Sequence, residues 1–257
     1  MTLFPRISAF FLAATVATAQ ENSQTLVVRD GSPLAEVLIA DAPEEGPGTR
    51  FQKASAEEAA KELIACIGQI SGGQLPLRRI SRSDLEATLS ERKQTRQPTI
   101  LLGSLARTWL GESDAVMRDA WTDPSGFVLV VTPEVIAIAG SQPRGTEIGV
   151  QEFLEQLGVR WFFPGPLGTV MPSRKTVGIA EQTTAQKPSF PARHFGFNAL
   201  DRDPHIAQWK KHQREGGLYL PPAHGIRLGD DASPETHPHL FAKSPIKRDI
   251  PQVCLSQ

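Results

Sequence analysis

Cysteine is scarce, charge of either sign is balanced, and histidine is absent before position 194. With Cys66 and Cys254 alone, neither a disulfide framework nor a four-cysteine zinc site can be built. Lys and Arg number 27 against 28 Asp and Glu, a formal net charge of −1. That balance removes the electrostatic footprint of a nucleic-acid binder, and no basic cluster marks an anionic membrane surface. Beyond the N-terminus no apolar run approaches the ~20 residues that cross a bilayer. Gly-x-Ser-x-Gly, the phosphate loop and the dinucleotide fingerprint are also missing, so nothing points to a nucleophile elbow, a nucleotide or NAD. No cofactor is expected.

What is present is globular: 257 residues, 40% hydrophobic, 21% charged, with Gly and Pro at 21 each. A chain of this size buries about 70% of its unfolded surface and needs no covalent staple. Residues 1–19 are read as a secretory signal. Arg6 precedes an apolar run over 7–16, and Ala17-Thr18-Ala19 is a small-x-small cleavage site. Export permits disulfides, but Cys66 lies on the apolar side of a helix and is expected as a buried free thiol.

The chain from 24 to 180 alternates strands and helices. Apolar runs at 25–28, 36–40 and 99–102 read as strands, and 127–131 with 135–139 as a hairpin across Thr132-Pro133-Glu134. Ser55-Ala56-Glu57-Glu58 is a capping box. Leu63, Cys66, Ile67 and Ile70 then follow at helical spacing, and Gly72-Gly73 ends that helix. A second stripe, Val150, Phe153, Leu154 and Leu157, stops at Gly158. The order predicts an α+β fold, a two-layer sandwich with two helices on one face of a sheet. A Thr-, Ala- and Gln-rich stretch, 181–187, precedes Pro188 and the histidine-containing region, and residues 183–188 are read as a linker.

One long segment is distinctive: Gly140-Ser141-Gln142-Pro143-Arg144-Gly145-Thr146-Glu147, through Phe153-Leu154-Glu155, to Arg160-Trp161-Phe162-Phe163-Pro164-Gly165. It resembles the non-catalytic N-terminal domain of α-glucuronidases and β-hexosaminidase-like glycoside hydrolases, and in particular the DUF4838 group of secreted bacterial proteins. Gln69-Ile70-Ser71-Gly72-Gly73-Gln74-Leu75-Pro76-Leu77 and Ile100-Leu101-Leu102-Gly103 fit the same pattern, and the likeness runs over about 24–180. Further on, Pro188-Ser189-Phe190-Pro191-Ala192-Arg193 resembles the entry into the first strand of the family's catalytic (β/α)8 barrel. Pro222-Ala223-His224-Gly225 resembles its second strand end. His237-Pro238-His239-Leu240-Phe241-Ala242 resembles a helix start, with His239 where the family has Glu, and Gln252-Val253-Cys254-Leu255 resembles the strand after it.

The resemblance implies an accessory domain over 20–182 and the first elements of a barrel over 189–257. A complete barrel takes about 250 residues, so the rest of it is expected to be missing from this chain. Its catalytic carboxylates come from later strands, so no catalytic residue is assigned. Asp201-x-Asp203 and Asp230-Asp231 are the close acidic pairs of the later region and read as solvated loop acids. Arg193 is a candidate sugar contact through its fixed fork of donors, and His224 is a second, at a position that would face a barrel mouth. Ile206, Trp209 and His212 form a helix packing stripe. His237-x-His239 is not expected to bind metal, because Pro238 and the implied helix start break a strand-like ligand pair. Arg160 and Trp161 read as packing groups after a helix end, and Glu152 and Glu155 as solvent-facing. The sequence points to the front of a secreted glycoside-hydrolase-like protein with a carbohydrate ligand; the alternative is a secreted non-catalytic carbohydrate-binding or scaffolding module.

Overall fold

Strands covered on both faces read as unbroken apolar runs, whereas strands covered on one face alternate. In the computed structural model, which describes residues 24–49, 52–112, 114–194, 203–218 and 236–237, the unbroken runs form the middle of one sheet. The chain divides into two units, Met1–Leu218 and Tyr219–Gln257. Of the second unit, Thr236 and His237 are described.

The elements of the first unit begin with β1 (Gln24–Arg29), β2 (Ser32–Pro33), β3 (Glu36–Ala40), β4 (Glu45–Thr49) and β5 (Gln52–Ser55). Then come α1 (Ala56–Ser71), β6 (Leu77–Ile80), α2 (Leu85–Gln94), β7 (Thr99–Leu102), α3 (Ser104–Leu110) and α4 (Ala115–Ala120). Next are β8 (Phe127–Val131), β9 (Val135–Gly140), α5 (Pro143–Gln156), β10 (Arg160–Trp161), β11 (Thr169–Val170), β12 (Val177–Ala180) and β13 (Gln182–Gln186). The unit closes with β14 (Ala192–Arg193), α6 (Pro204–His212) and β15 (Gly216–Gly217).

The main sheet runs β13-β8-β9-β7-β3-β6. β6, β3, β7 and β9 are parallel, while β8 is antiparallel to β9 and β13 to β8. Register places Leu38, Leu101, Ala137 and Val130 in one row across four strands. Their neighbours along each strand point the other way, so two separate cores arise. On one face Val37, Ile39, Ile100, Leu102, Ile136 and Ile138 pack under α1 and α5 through Leu63, Ile67, Val150 and Phe153. On the other, Leu38, Leu101 and Ala137 meet Leu85 of α2 and Leu105 and Ala106 of α3. Val128 and Val130 meet Ala120 of α4 and the adjoining Trp121 on that side.

The two-layer expectation is therefore corrected: helices cover both faces, giving a three-layer α/β/α arrangement of mixed strand direction. The linker reading of 183–188 is corrected as well. Residues 182–186 are β13, paired with β8 from Gln182↔Val131 to Gln186↔Phe127. They contribute backbone hydrogen bonds at a sheet edge, where polar side chains are acceptable. Barrel elements expected at 219–235 and 238–257 lie outside the described residues.

Local signals placed the first helix well. Ser55 Oγ accepts from Glu58 N–H at 3.0 Å, Gly72 caps the far end at φ 81°, and Leu63, Cys66, Ile67 and Ile70 are all buried. The Glu58 side chain does not complete the box; Lys61 donates to it instead at 2.8 Å. The start of α5 depends on small residues. A Cβ at Gly145 would lie 2.2 Å from the Gly126 carbonyl oxygen, so that close approach of helix to sheet requires glycine there.

Candidate functional site

The chemistry gathers where α6 lies against α1, α5 and β10. Asp203 begins α6, its carboxylate accepting from His205 N–H at 2.8 Å, with Pro204 in the first turn. At the other end Lys210, Lys211 and His212 are buried, at 4%, 4% and 7% exposure. Ammonium groups so buried need opposite charge and hydrogen bonds. Lys211 Nζ lies 3.0 Å from Glu147 Oε1, and Glu147, itself 2% exposed, is bridged on its other oxygen by Arg144 at 3.0 Å. Arg144 also donates to the Lys211 and Glu215 carbonyls, both at 3.2 Å, which ties α5 to the backbone leaving α6. Lys210 and His194 each lie 3.6 Å from Glu215.

His212 is fixed on two sides. Its ring stacks on Trp161 with centroids 4.0 Å apart and planes inclined by 19°, and its Nε2 lies 2.5 Å from Glu62 Oε1. Burial pushes the Glu62 carboxyl up, but the His212 hydrogen bond and the charges of His212, Lys211 and Arg144 outweigh it and hold the group below its ordinary value. The Trp161 carbonyl accepts from Trp209 Nε1 at 3.2 Å and from Gln213 Nε2 at 2.7 Å. Arg214 reaches back to Glu152 at 2.7 Å and Glu155 at 2.5 Å, so these two carboxylates hold an arginine and are not simply solvent-facing. Arg160 donates to the Glu155 and Val159 carbonyls at the end of α5, as its place after a helix end suggests.

Between α1, the β10 region and α6 lies a cavity of about 390 Å³, walled by Trp161, Phe163, Met171 and Trp209 with Glu62, Gln69 and Gln208 among its polar groups. Cys66 also borders it. Burial, with the Glu62 charge second, pushes that thiol up to about 12, which leaves it protonated and unreactive at neutral pH.

The sheet topology marks a second place. In parallel α/β sheets, ligands enter at the carboxyl ends of adjacent strands whose connections leave to opposite faces. Here β3 and β7 are one such pair, followed by α1 on one face and α3 on the other. The chain's own Glu44 fills that crevice, accepting from Ser104 N–H at 2.9 Å and from Ser104 Oγ at 2.5 Å. Gly103 makes room for it at φ 64°, since a Cβ there would sit 2.4 Å from Glu44 Oε2.

Arg193, a candidate sugar contact, binds protein groups: Nη2 donates to Ser125 Oγ at 2.9 Å, Nη1 to the Phe190 carbonyl at 2.8 Å and Nε to the Arg214 carbonyl at 3.3 Å. Burial lowers its pKa. His224, the other candidate, lies outside the described residues, as do Asp201, Asp230, Asp231, His239 and Cys254. His237 Nδ1 is 3.0 Å from Thr236 Oγ1. Among the described residues no group of three His, Cys, Asp or Glu is placed to hold a metal, and no helix is long and apolar enough to cross a membrane. The buried charges around Lys211 were missed from sequence, because a Lys-Lys-His helix end reads as a solvated one. Trp161 and Trp209 were visible as packing residues.

By sequence, the chain matches no protein-family model and no curated protein. Solved structures similar in shape include a family GH115 4-O-methyl-α-glucuronidase with specificity for decorated arabinogalactans, 14% identical, with a TM-score of 0.48 over 73% of this chain and 25% of that one. Another is a mutant Streptomyces plicatus β-hexosaminidase in complex with its product, 15% identical, with a TM-score of 0.39 over 74% of this chain and 30% of that one. The chain thus spans between a quarter and a third of the length of these proteins.

Proposed function

We propose that this chain is the front portion of a secreted glycoside-hydrolase-like protein acting on glycans. Residues 20–186, with β13 as an edge strand, are its non-catalytic accessory domain, and β14 and α6 are the first strand and helix of the catalytic barrel. One observation carries this reading. The segment from Gly140 to Gly165, distinctive by sequence, supplies the partners that hold α6: Arg144, Glu147, Glu152, Glu155 and Trp161. A domain whose most distinctive stretch is spent on holding the next element is a support for that element. The Glu44 carboxylate that fills the crevice between β3 and β7 agrees with a domain that does no chemistry there.

Hydrolysis of a glycosidic bond needs two carboxyls held across one cleft about 5–10 Å apart. The buried carboxylates of the α6 region, Glu62 and Glu147, are each paired with cations and serve the packing. In the proposed barrel, Arg193 and His224 are sugar contacts at the mouth, with no metal and no cofactor. The purified 257-residue chain is expected to leave aryl glycosides and aryl glucuronides intact, while the same domain joined to a complete barrel hydrolyses one of them. Turnover by the 257-residue chain, abolished by Asp201→Asn or Asp203→Asn, would overturn the accessory role.

The second reading, a secreted carbohydrate-binding module, is favoured by the aromatic-walled cavity. Glycan-array binding by the chain together with failure of any barrel-joined form to hydrolyse would select it.

A further inference from the structure

We propose that the cavity between α1, β10 and α6 is a binding subsite for a neutral pyranose ring of a glycan. The proposal rests on the glycan reading above and adds to it a site, a sugar class and a consequence for α6. The volume, about 390 Å³, falls within the ~300–1,000 Å³ range of small-molecule sites. Its walls have the composition that sugars require. Phe163 and Trp209 offer flat apolar surface for the C–H face of a pyranose, with the Trp161 ring, stacked on His212, bordering the cavity beside them. Gln69 and Gln208 offer side-chain amides that both donate to and accept from hydroxyls. Phe163 is 51% exposed, so it stands at the rim and not in the core.

Charge decides between sugar classes. The lining contains one carboxylate, Glu62, and two imidazoles, His205 and His212, but no lysine or arginine. Glu62 is held ionised by His212, Lys211 and Arg144. A uronate would bring a second carboxylate beside it, where His212 is already paired with Glu62 and no lysine or arginine lines the cavity, whereas a neutral ring brings hydroxyl donors. The site therefore selects against acidic sugars. Its walls come both from α1 and β10 and from α6, so a bound ring bridges them and holds α6 in place by mass action.

The test uses the full chain labelled with ¹⁵N, whose four tryptophans give four indole signals: Trp109, Trp121, Trp161 and Trp209. Cello- and xylo-oligosaccharides are the neutral probes, and glucuronate is the acidic one. The neutral sugars are expected to shift the Trp161 and Trp209 signals and leave Trp109 and Trp121 in place. Phe163→Ala and Gln69→Ala, both at exposed positions, are each expected to weaken binding by about tenfold or more with an unchanged far-UV spectrum. Three results would overturn the proposal: no shift with any neutral sugar, glucuronate bound at least as tightly, or binding that survives both substitutions. The last leaves the glycan reading standing and removes only this site. Failure of the barrel-joined form to hydrolyse removes the reading independently.

Discussion

His212 and Trp161 lie face to face, 51 positions apart in the chain, with ring centroids 4.0 Å apart, and the same imidazole sits 2.5 Å from Glu62. One side chain thus joins α6 to β10 and to α1. The charges around it are paired opposite in sign: Glu62 and Glu147 face Arg144 and Lys211. Removing one member leaves another charged and without its partner in a dry place.

Glu147→Gln should accordingly cost about 3–5 kcal/mol in a urea titration, the usual effect of breaking a buried ion pair. Adding Lys211→Met should return part of that loss, because the Lys211–Glu147 pair then disappears together while Arg144 still lacks its carboxylate. Equal destabilisation by the single and the double variant would show that Glu147 and Lys211 are not coupled.

Acid should release α6. The Glu62 carboxyl is held below its ordinary value, so its contribution is complete above the unfolded value of about 4.3 and disappears as the pH falls through the lower folded value. The stability difference between wild type and Glu62→Gln should be full at pH 7 and shrink below about pH 4. A difference that stays constant with pH would refute the assignment.

Cys66 behaves in the opposite direction. Its thiol is raised from 9.0 to about 12, so the unfolded chain loses this proton first. The Cys66 contribution to stability should be constant below pH 9 and should decline between 9 and 12, and Cys66→Ala should flatten that decline. At neutral pH, iodoacetamide should leave the Cys66 peptide unmodified in the folded protein, as read by mass spectrometry. Rapid alkylation of Cys66 would contradict its burial.

Much of the sheet was legible because its signals are local. β3, β7, β8 and β9 announce themselves as apolar runs, and α1 carries its cap, its stripe and its terminal glycine. Those unbroken runs also carry the sign of a sheet covered on both faces, which a two-layer reading overlooks. The helices that cover the second face are harder to see. α2 buries only Leu85 and Thr88, and α3 and α4 span 7 and 6 residues, too short for a clear period. β13 holds no large apolar side chain; it is a strand because β8 offers it a ladder. At the α6 site the aromatic stripe was legible, and the ion pairs were not. Nothing near Lys211 in the chain reveals that Glu147, 64 positions earlier, lies 3.0 Å from its ammonium.

The central claim is that the Gly140–Gly165 segment exists to hold α6, and hydrogen exchange on the full chain tests it most directly. Amides within α6 should exchange slowly in the wild type, with protection approaching that of α5. Glu147→Gln should strip protection from α6 while β7 and β9 keep theirs. Free-peptide exchange of α6 in the wild type, or protection unaffected by Glu147→Gln, would contradict the account.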